Sequence, residues 1–434
     1  MHFALRGYLL IALTALLGIA GLWADDPAFA TGWLFPAVLL LGGLALEAWY
    51  AHGTRISLRM QIPGRLKLGR AVTGAFAFGH NRRRALTLLY ARALPAAFRQ
   101  GTEVRHVEVP PEEAGEWRDD IELLPRLLGA GRFEPVSARL LGRLSLAWWS
   151  RELPREQSFT VAPDSLPRGA RPIAGESAGE TPRRLPGLGA ELLQLRDYTS
   201  GDALSRIDWK ATARRGALVA REYSEAQHLE ILMVIDAGRA SRVRAGELDR
   251  LGLYANVAAR LAEHAVTVED RVGFIVYADR VLTSSLPDRG VRAVSRLRRA
   301  LETLETSRGE SNPLAAAVHV RRMLRHRGLV VWLTDLADPG RTEALMQAVK
   351  ALVPRHQPIV AAPHAVEIAR LAEQPPLEWR DASVALVARD YRDRAQHQVA
   401  TLRRQGAVVL DEPDDKLDQT ALDAYLQLRR RRRA

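Results

Sequence analysis

The 434-residue chain contains no cysteine, which excludes a disulfide framework, a thiolate metal site and a cysteine nucleophile. Lysine is nearly absent as well. Only Lys67, Lys210, Lys350 and Lys416 stand among 62 basic residues, and the arginine excess points to a GC-rich genome more than to phosphate binding. No glycine-rich phosphate loop of the Walker type occurs, so any ATPase activity must reside in a partner. The eleven histidines are scattered, without the His-Glu-x-x-His spacing of a zinc hydrolase. What is there is an ordinary apolar fraction, 47%, over a length that allows two or three cores. The net charge of +12 suits an anionic membrane face better than nucleic acid, given the apolar segments described next.

Two such segments open the chain. Residues 7–23 carry no charge and residues 32–50 carry only Glu47. At 1.5 Å per residue they reach roughly 26 and 28 Å, close to the hydrocarbon thickness of a bilayer. Trp23, Trp33, Trp49 and Tyr50 sit at their ends, where amphipathic rings favour the interface. Glu47 lies within a turn of one end, so its carboxylate is expected to reach the headgroups. Asp25 and Asp26 lie between the segments, Arg6 before them, and Arg55, Arg59, Arg65 and Lys67 after. That asymmetry predicts both termini in the cytoplasm and a short loop outside. Ala28-Phe29-Ala30 has the small-x-small pattern of a signal-peptide cleavage site, but the acidic stretch before it and the weakly basic start argue against cleavage. The second segment would anchor the chain in either case.

Composition divides the rest. Residues 1–55 read as the anchor and 56–162 as a β-rich domain, with strand character at 104–109 and 145–149 suggesting a small β-sandwich. Trp148 and Trp149 read as core and rim aromatics. Residues 163–189, rich in Pro, Gly, Ser and Arg, read as a linker, and 190–228 as a separate charged segment. In 229–434 short apolar runs at 230–235, 272–277, 329–333, 358–362 and 407–410 alternate with helix-period stretches. The helical stretches lie at 246–264, 313–325, 341–352, 384–404 and from 417 onward. This pattern predicts a parallel, doubly wound α/β sheet.

In such a sheet ligands bind at the carboxyl ends of the strands. Two strands end in carboxylates, Asp236 and Asp335, and Ser311 opens the helix before the third. Oxygen ligands so placed match a hard-cation site. The arrangement resembles the metal-ion-dependent adhesion site of von Willebrand factor type A domains, whose first loop is Asp-x-Ser-x-Ser. Here Gly238 and Ala240 replace both hydroxyls, while Thr334-Asp335 and Ser311 are retained. Such a degenerate site would hold Mg²⁺ weakly, and Arg239 would bring an opposing cation. In a vestigial site the two aspartates would serve as a helix cap and a turn residue. An aspartyl-nucleophile phosphatase would need a second carboxylate where Gly238 stands.

A more specific pattern lies upstream. Arg196, Asp197, Asp202, Arg206, Asp208, Lys210, Arg214 and Arg215 crowd around Tyr198 and Trp209, with Gly201 and Gly216 marking turns. Residues 207–209 are expected to start a short helix with Asp208 near its N-terminus. Leu195-Arg196-x-Tyr198-x-x-Gly201-Asp202, then Arg206-Ile207-Asp208-Trp209-Lys210-Ala211-x-Ala213-Arg214, closely resembles the signature of the bacterial domain of unknown function 58 family.

The resemblance implies paired transmembrane helices, a β-rich region, the signature and a von Willebrand factor A-like domain. It implies a multi-pass inner-membrane protein with cytoplasmic domains and a MoxR-type AAA+ ATPase as partner in complex maturation. It supplies no catalytic residues. The resulting expectation is a non-enzymatic, membrane-anchored assembly module. The main alternative is an Mg²⁺-dependent adhesion-type receptor using Asp236, Ser311 and Asp335, and a hydrolase using the same carboxylates is a third. The signature's ion pairs would either dock a partner or fix the linker against the α/β domain. The terminal arginines, 429–433, would touch anionic lipid or stay solvated.

Overall fold

The computed structural model describes residues 1–23, 30–98, 101–154, 157–164, 186–187, 191–224, 228–304, 307–336, 339–364, 366–375 and 378–433. Asp25, Asp26, Ala28, Phe29 and most of the expected linker lie outside them. The chain forms two compact units, Met1–Asp164 with Leu301–Leu304, and Ser165–Ala300 with Glu305–Ala434.

The first unit begins with β1 (His2–Phe3), α1 (Leu5–Gly21) and α2 (Leu34–His52). Neither helix contains a polar run to break its ladder, and the Thr14 hydroxyl donates back to the Leu10 carbonyl at 2.7 Å. Among the described residues one helix, α2, is long and apolar enough to cross a membrane, and α1 is a shorter apolar helix. Both apolar segments are thus helical, α2 over 19 residues and α1 over 17.

Among the described residues ten strands follow: β2 (Ile56–Gln61), β3 (Arg65–Lys67), β4 (Val72–His80), β5 (Leu86–Arg92), β6 (Glu103–Val109), β7 (Trp117–Leu123), β8 (Gly129–Arg132), β9 (Val136–Leu141), β10 (Ala147–Leu153) and β11 (Ser158–Ala162). They form sheets ordered β1-β10-β9-β5-β6, β2-β4-β7 and β3-β11-β8. Alternation drives the assembly, because Val136, Ala138 and Leu140 of β9 and Asp119, Ile121 and Leu123 of β7 are buried while the residues between them are exposed. Phe78 of β4 lies 4.7 Å from Tyr90 of β5, so two of the sheets meet face to face. Phe98, Phe133 and Phe159 form a second aromatic cluster. The strand expected at 145–149 begins two residues later, because Ser145 occupies a left-handed turn (φ 58°).

The second unit begins with β12 (Pro186–Gly187), β13 (Glu191–Asp197), α3 (Trp209–Arg215) and β14 (Val219–Ser224), whose strands form a small antiparallel sheet. Then come β15 (Glu230–Asp236), β16 (Arg244–Ala245), β17 (Leu248–Asp249), α4 (Arg250–Thr267), β18 (Arg271–Tyr277), β19 (Val281–Asp288), α5 (Val291–Glu302), α6 (Pro313–Met323), β20 (Leu329–Leu333), α7 (Pro339–Leu352), β21 (Gln357–His364), α8 (Val366–Glu373), α9 (Trp379–Arg404), β22 (Val408–Pro413) and α10 (Leu417–Arg433).

The main sheet is ordered β19-β18-β15-β20-β21-β22, parallel except for the edge strand β19. Its central strands are buried throughout, which is why they read as unbroken apolar runs. Leu232, Val234, Ile275, Val330, Trp332 and Val360 carry the core between helices. Asp249 caps α4 through the Gly252 N–H at 2.8 Å, and Asn312 caps α6 ahead of Pro313. The helix expected at 246–264 therefore starts at Arg250, after the β16–β17 hairpin.

Candidate functional site

The chain leaves β15 for β18 on one side and later places β20 on the other, so strand order reverses between β15 and β20. The crevice at a reversal is where an open α/β sheet receives ligands. Asp236 ends β15 there, and Thr334 and Asp335 directly follow β20.

Asp236 is 1% exposed and engaged on both carboxylate oxygens. Oδ1 accepts the Gly238 N–H at 2.9 Å and the Ser311 hydroxyl, and Oδ2 accepts the Thr334 hydroxyl at 2.8 Å. Its main-chain oxygen accepts the Ser241 hydroxyl at 2.7 Å. The sequence pattern made Asp236 and Ser311 co-ligands of a cation; here the Ser311 hydroxyl donates to Asp236 instead. Gly238 explains the difference. A Cβ at that position would overlap the Ser311 Oγ, so loss of the side chain lets Ser311 close onto Asp236.

Asp335 does not join them through a shared ligand position. It forms a buried ion pair with Arg250, whose guanidinium also donates to the Tyr391 hydroxyl at 3.0 Å. Burial alone would lower the Arg250 pKa, but Asp335, Tyr254 and Tyr391 together outweigh it, and the net shift is upward. Burial pushes the neighbouring Tyr254 phenol well above its usual range. The expectation that Arg239 supplies the opposing cation is therefore corrected. Arg239 is exposed and pairs with Glu310 at 2.5 Å, and the cation at the strand ends comes from the first residue of α4. Nothing in the sequence around Arg250 announced it, because the 85-residue separation from Asp335 is bridged only by the fold. No cluster of three or more His, Asp or Glu residues able to hold a metal exists among the described residues.

The signature residues build a self-contained hairpin. Arg196 of β13 clamps Asp202 with two hydrogen bonds of 2.8 and 2.7 Å and reaches Glu222 of β14 at 3.3 Å. Asp202 also accepts the Thr199 N–H and hydroxyl at 3.0 Å each, and the Tyr198 hydroxyl donates to its carbonyl. The Arg196 guanidinium and then the Thr199 donors hold the Asp202 carboxyl well below the usual range. Gly201 adopts φ 121° to close this turn.

Asp208 caps α3 by accepting from the Lys210 and Ala211 N–H groups and pairs with Arg221 at 2.9 Å, as its expected place at a helix start implied. Gly216 ends α3 in the left-handed conformation. Arg206 is half-buried in a short turn, while Lys210 and Arg214 are exposed. Trp209 is 66% and Leu204 71% exposed, and Leu195 and Leu218 of the same segment are exposed too. The signature's charges thus fix a scaffold, and its Trp and Leu side chains remain on the surface.

These observations define a doubly wound α/β unit whose strand-end carboxylates are held by the chain's own donors, and a separate charged hairpin. Residues 194–399 match the model of the family described as protein of unknown function DUF58. The match supports, for this segment, the family indicated by residues 195–214. Uncharacterized proteins of Mycobacterium tuberculosis and Mycobacterium bovis are 25% identical over 175 residues, 40% of this chain and 54% of theirs. The chain spans about half the length of the curated relatives it matches. Among solved structures, proximal thread matrix protein 1 of the mussel byssus aligns at 11% identity with a TM-score of 0.29. It covers 45% of this chain and 46% of that one, a likeness too low to bear on fold or function.

Proposed function

We propose that this chain is a non-enzymatic docking and assembly module, anchored in the bacterial inner membrane by α1 and α2 with its other domains in the cytoplasm. It works with a MoxR-type AAA+ ATPase in the maturation of protein complexes. The observation that carries the non-enzymatic part is how the strand-end carboxylates are held. Asp236 is occupied by Gly238, Ser311 and Thr334, and Asp335 by Arg250, so the carboxylates that could activate water or hold a metal bind the chain's own donors. The ATPase class comes from the family resemblance. The exposed apolar group around Trp209, held on a fixed ion-paired hairpin, supplies the docking face, because aromatic anchors on rigid supports dominate interface energetics.

Co-purification of the detergent-solubilised chain with such an ATPase tests this. A stable complex that Trp209→Ala weakens by about tenfold or more, a loss typical of an aromatic anchor, supports the reading. Binding indifferent to Trp209 and Leu204 would remove the docking face.

The second reading, an Mg²⁺-dependent adhesion-type receptor, is favoured by one observation: Asp236, Ser311 and Thr334 do converge at the strand ends in the manner of a von Willebrand factor A site. Isothermal titration with Mg²⁺ and Mn²⁺ separates the two. The docking reading expects no saturable binding at millimolar metal, whereas micromolar binding lost in Asp236→Ala would establish the receptor.

A further inference from the structure

The loops that lead into β20, β21 and β22 share one end of the main sheet, opposite the strand-end carboxylates, because these strands are neighbours and run parallel. Hydrogen bonds lace the loops together. The Gln357 N–H donates to the Gly328 carbonyl at 3.0 Å, and the Gly328 N–H to His356 Nδ1 at 3.3 Å. The Gln357 side-chain amide donates to the Gly406 carbonyl at 3.2 Å. Residues 321–328, 353–356 and 403–407 contain no acid. Arg321, Arg325 and Arg327 come with the first loop, Arg355 with the second and Arg404 with the third, all exposed. Their charge is felt inside as well: burial, then Arg355 and Arg321, holds His356 below its usual range.

The last helix adds to the same end. The expectation that residues 429–433 touch lipid or stay solvated fails at Arg429, whose side chain is 13% exposed and pairs at 3.1 Å with the fully buried Asp270 before β18. Arg429 also donates to the Val268 carbonyl at 3.0 Å, and the Tyr425 hydroxyl donates to Asp270 at 2.5 Å. These bonds pin α10 and leave Arg430 and Arg431 exposed where it ends. Of the other acids at the starts of β15 and β18, Glu230 pairs with Arg271 at 3.4 Å and Glu269 is exposed.

Helix dipoles account for only part of this arrangement. A cation in the last turn of a helix is stabilised, but the effect fades beyond that turn. Arg325, Arg327 and Arg355 lie past the ends of α6 and α7. Charge also changes sign along the sheet: Arg403 and Arg404 precede β22, and Asp411, Glu412, Asp414 and Asp415 stand at its far end. The three loops hold no Phe, Tyr or Trp on which a base could stack. Among their described residues no large apolar side chain is exposed. A broad cationic surface with neither aromatic platform nor apolar wedge suits a flat anionic surface, met by charge alone.

We propose that this end of the α/β unit is a contact surface for anionic phospholipid headgroups. The proposal rests on the membrane reading of α1 and α2, because a tethered unit meets lipid at a high effective concentration and many weak attractions then suffice. The contact is reversible and salt-sensitive, since no side chain of these loops enters the acyl layer. It turns the acidic end of the unit, with its strand-end carboxylates, away from the bilayer.

Because the chain has no cysteine, single thiols report unambiguously. Ala351→Cys, exposed in the last turn of α7, and Asp415→Cys, exposed at the opposite end, each receive a donor fluorophore in the full chain. The proteins are reconstituted in vesicles carrying an acceptor on the lipid headgroups, made either of phosphatidylethanolamine with phosphatidylglycerol or of phosphatidylcholine alone. The expected result is energy transfer from 351 several-fold higher in the anionic vesicles than in the neutral ones, with no such excess from 415. The excess should vanish at about 1 M salt, where charges are screened over roughly 3 Å. It should also vanish when Arg321, Arg325, Arg355 and Arg404 are replaced together by Gln, while the protein still floats with the vesicles. If that variant fails to fold, the lipid and salt comparison on the parent decides alone. Equal transfer from 351 in both lipids, in protein that floats with the vesicles, overturns the proposal and leaves the anchor intact. Failure to float with either vesicle overturns the membrane reading itself. An oligonucleotide bound by the parent and not by the Gln variant, without any lipid dependence at 351, overturns the proposal by assigning the surface to nucleic acid.

Discussion

At the residue scale, the absence of one side chain decides what the strand-end crevice can do. With glycine at 238, the Ser311 hydroxyl occupies the space a side chain would fill and bonds Asp236. Gly238→Ala should therefore destabilise by about 1–3 kcal/mol, the usual cost of overpacking, and adding Ser311→Ala should restore most of it. Urea midpoints of the two single variants and the double variant measure this coupling. Arg250 and Asp335 obey a different rule. Arg250→Leu leaves the Asp335 charge uncompensated in a buried site, an expected loss of about 3–5 kcal/mol. The double variant Arg250→Leu/Asp335→Leu should recover much of that loss, because a buried ion pair gives little net stability over apolar residues of similar size. Equal destabilisation of the single and double variants would mean that Arg250 acts chiefly through Tyr391.

At the scale of elements, the hairpin β13–α3–β14 couples its fold to acid. The Asp202 carboxyl has a folded pKa below its unfolded value of about 3.9, so its contribution is whole above that pH and fades as pH falls below it. Asp208, lowered by Arg221 and then by its helix-capping bonds, adds the same sign. Asp202→Asn should therefore melt earlier than the parent at pH 6, and the gap should narrow toward pH 3. A gap constant with pH would assign the effect to geometry rather than charge.

The same elements show where sequence was readable. Asp208 at the start of α3, Leu329–Leu333 as β20 and the start of α10 at Leu417 follow from capping and apolar runs, which are local signals. The edge strand β19, Val281–Asp288, went unread because its outer face is polar and it carries Ser and Pro. Helix α5, Val291–Glu302, was missed because arginines crowd its narrow apolar stripe. Glu47's true partners were unreadable, since the turn that binds it lies about a hundred residues downstream. Arg250 escaped for the same reason. Local chemistry is written in neighbouring residues; pairing across the fold is not.

At the scale of the whole molecule, anchor and charge distribution should together fix orientation. The apolar α2, the acidic residues between the two apolar segments and the basic residues that flank them are visible in sequence, and each bears on the same question. Among these, only arginine and lysine placement sets direction, so reversing it is the sharpest test. In intact bacteria with the outer barrier permeabilised, an impermeant maleimide should label Trp23→Cys but not Glu108→Cys until the cells are lysed. Trp23 is strongly exposed at the end of α1, and Glu108 is exposed on β6, so neither result would reflect burial. Replacing Arg55, Arg59, Arg65 and Lys67 with Gln while adding Lys at 25 and 26 should move a fraction of the chains to the opposite pattern. If the charge-reversed protein keeps its orientation, the docked β-rich unit directs insertion instead. The attachment through Glu47 and residues 144–147 would then be the next place to intervene, with Glu47→Ala leaving three N–H groups unsatisfied at about 1–3 kcal/mol each.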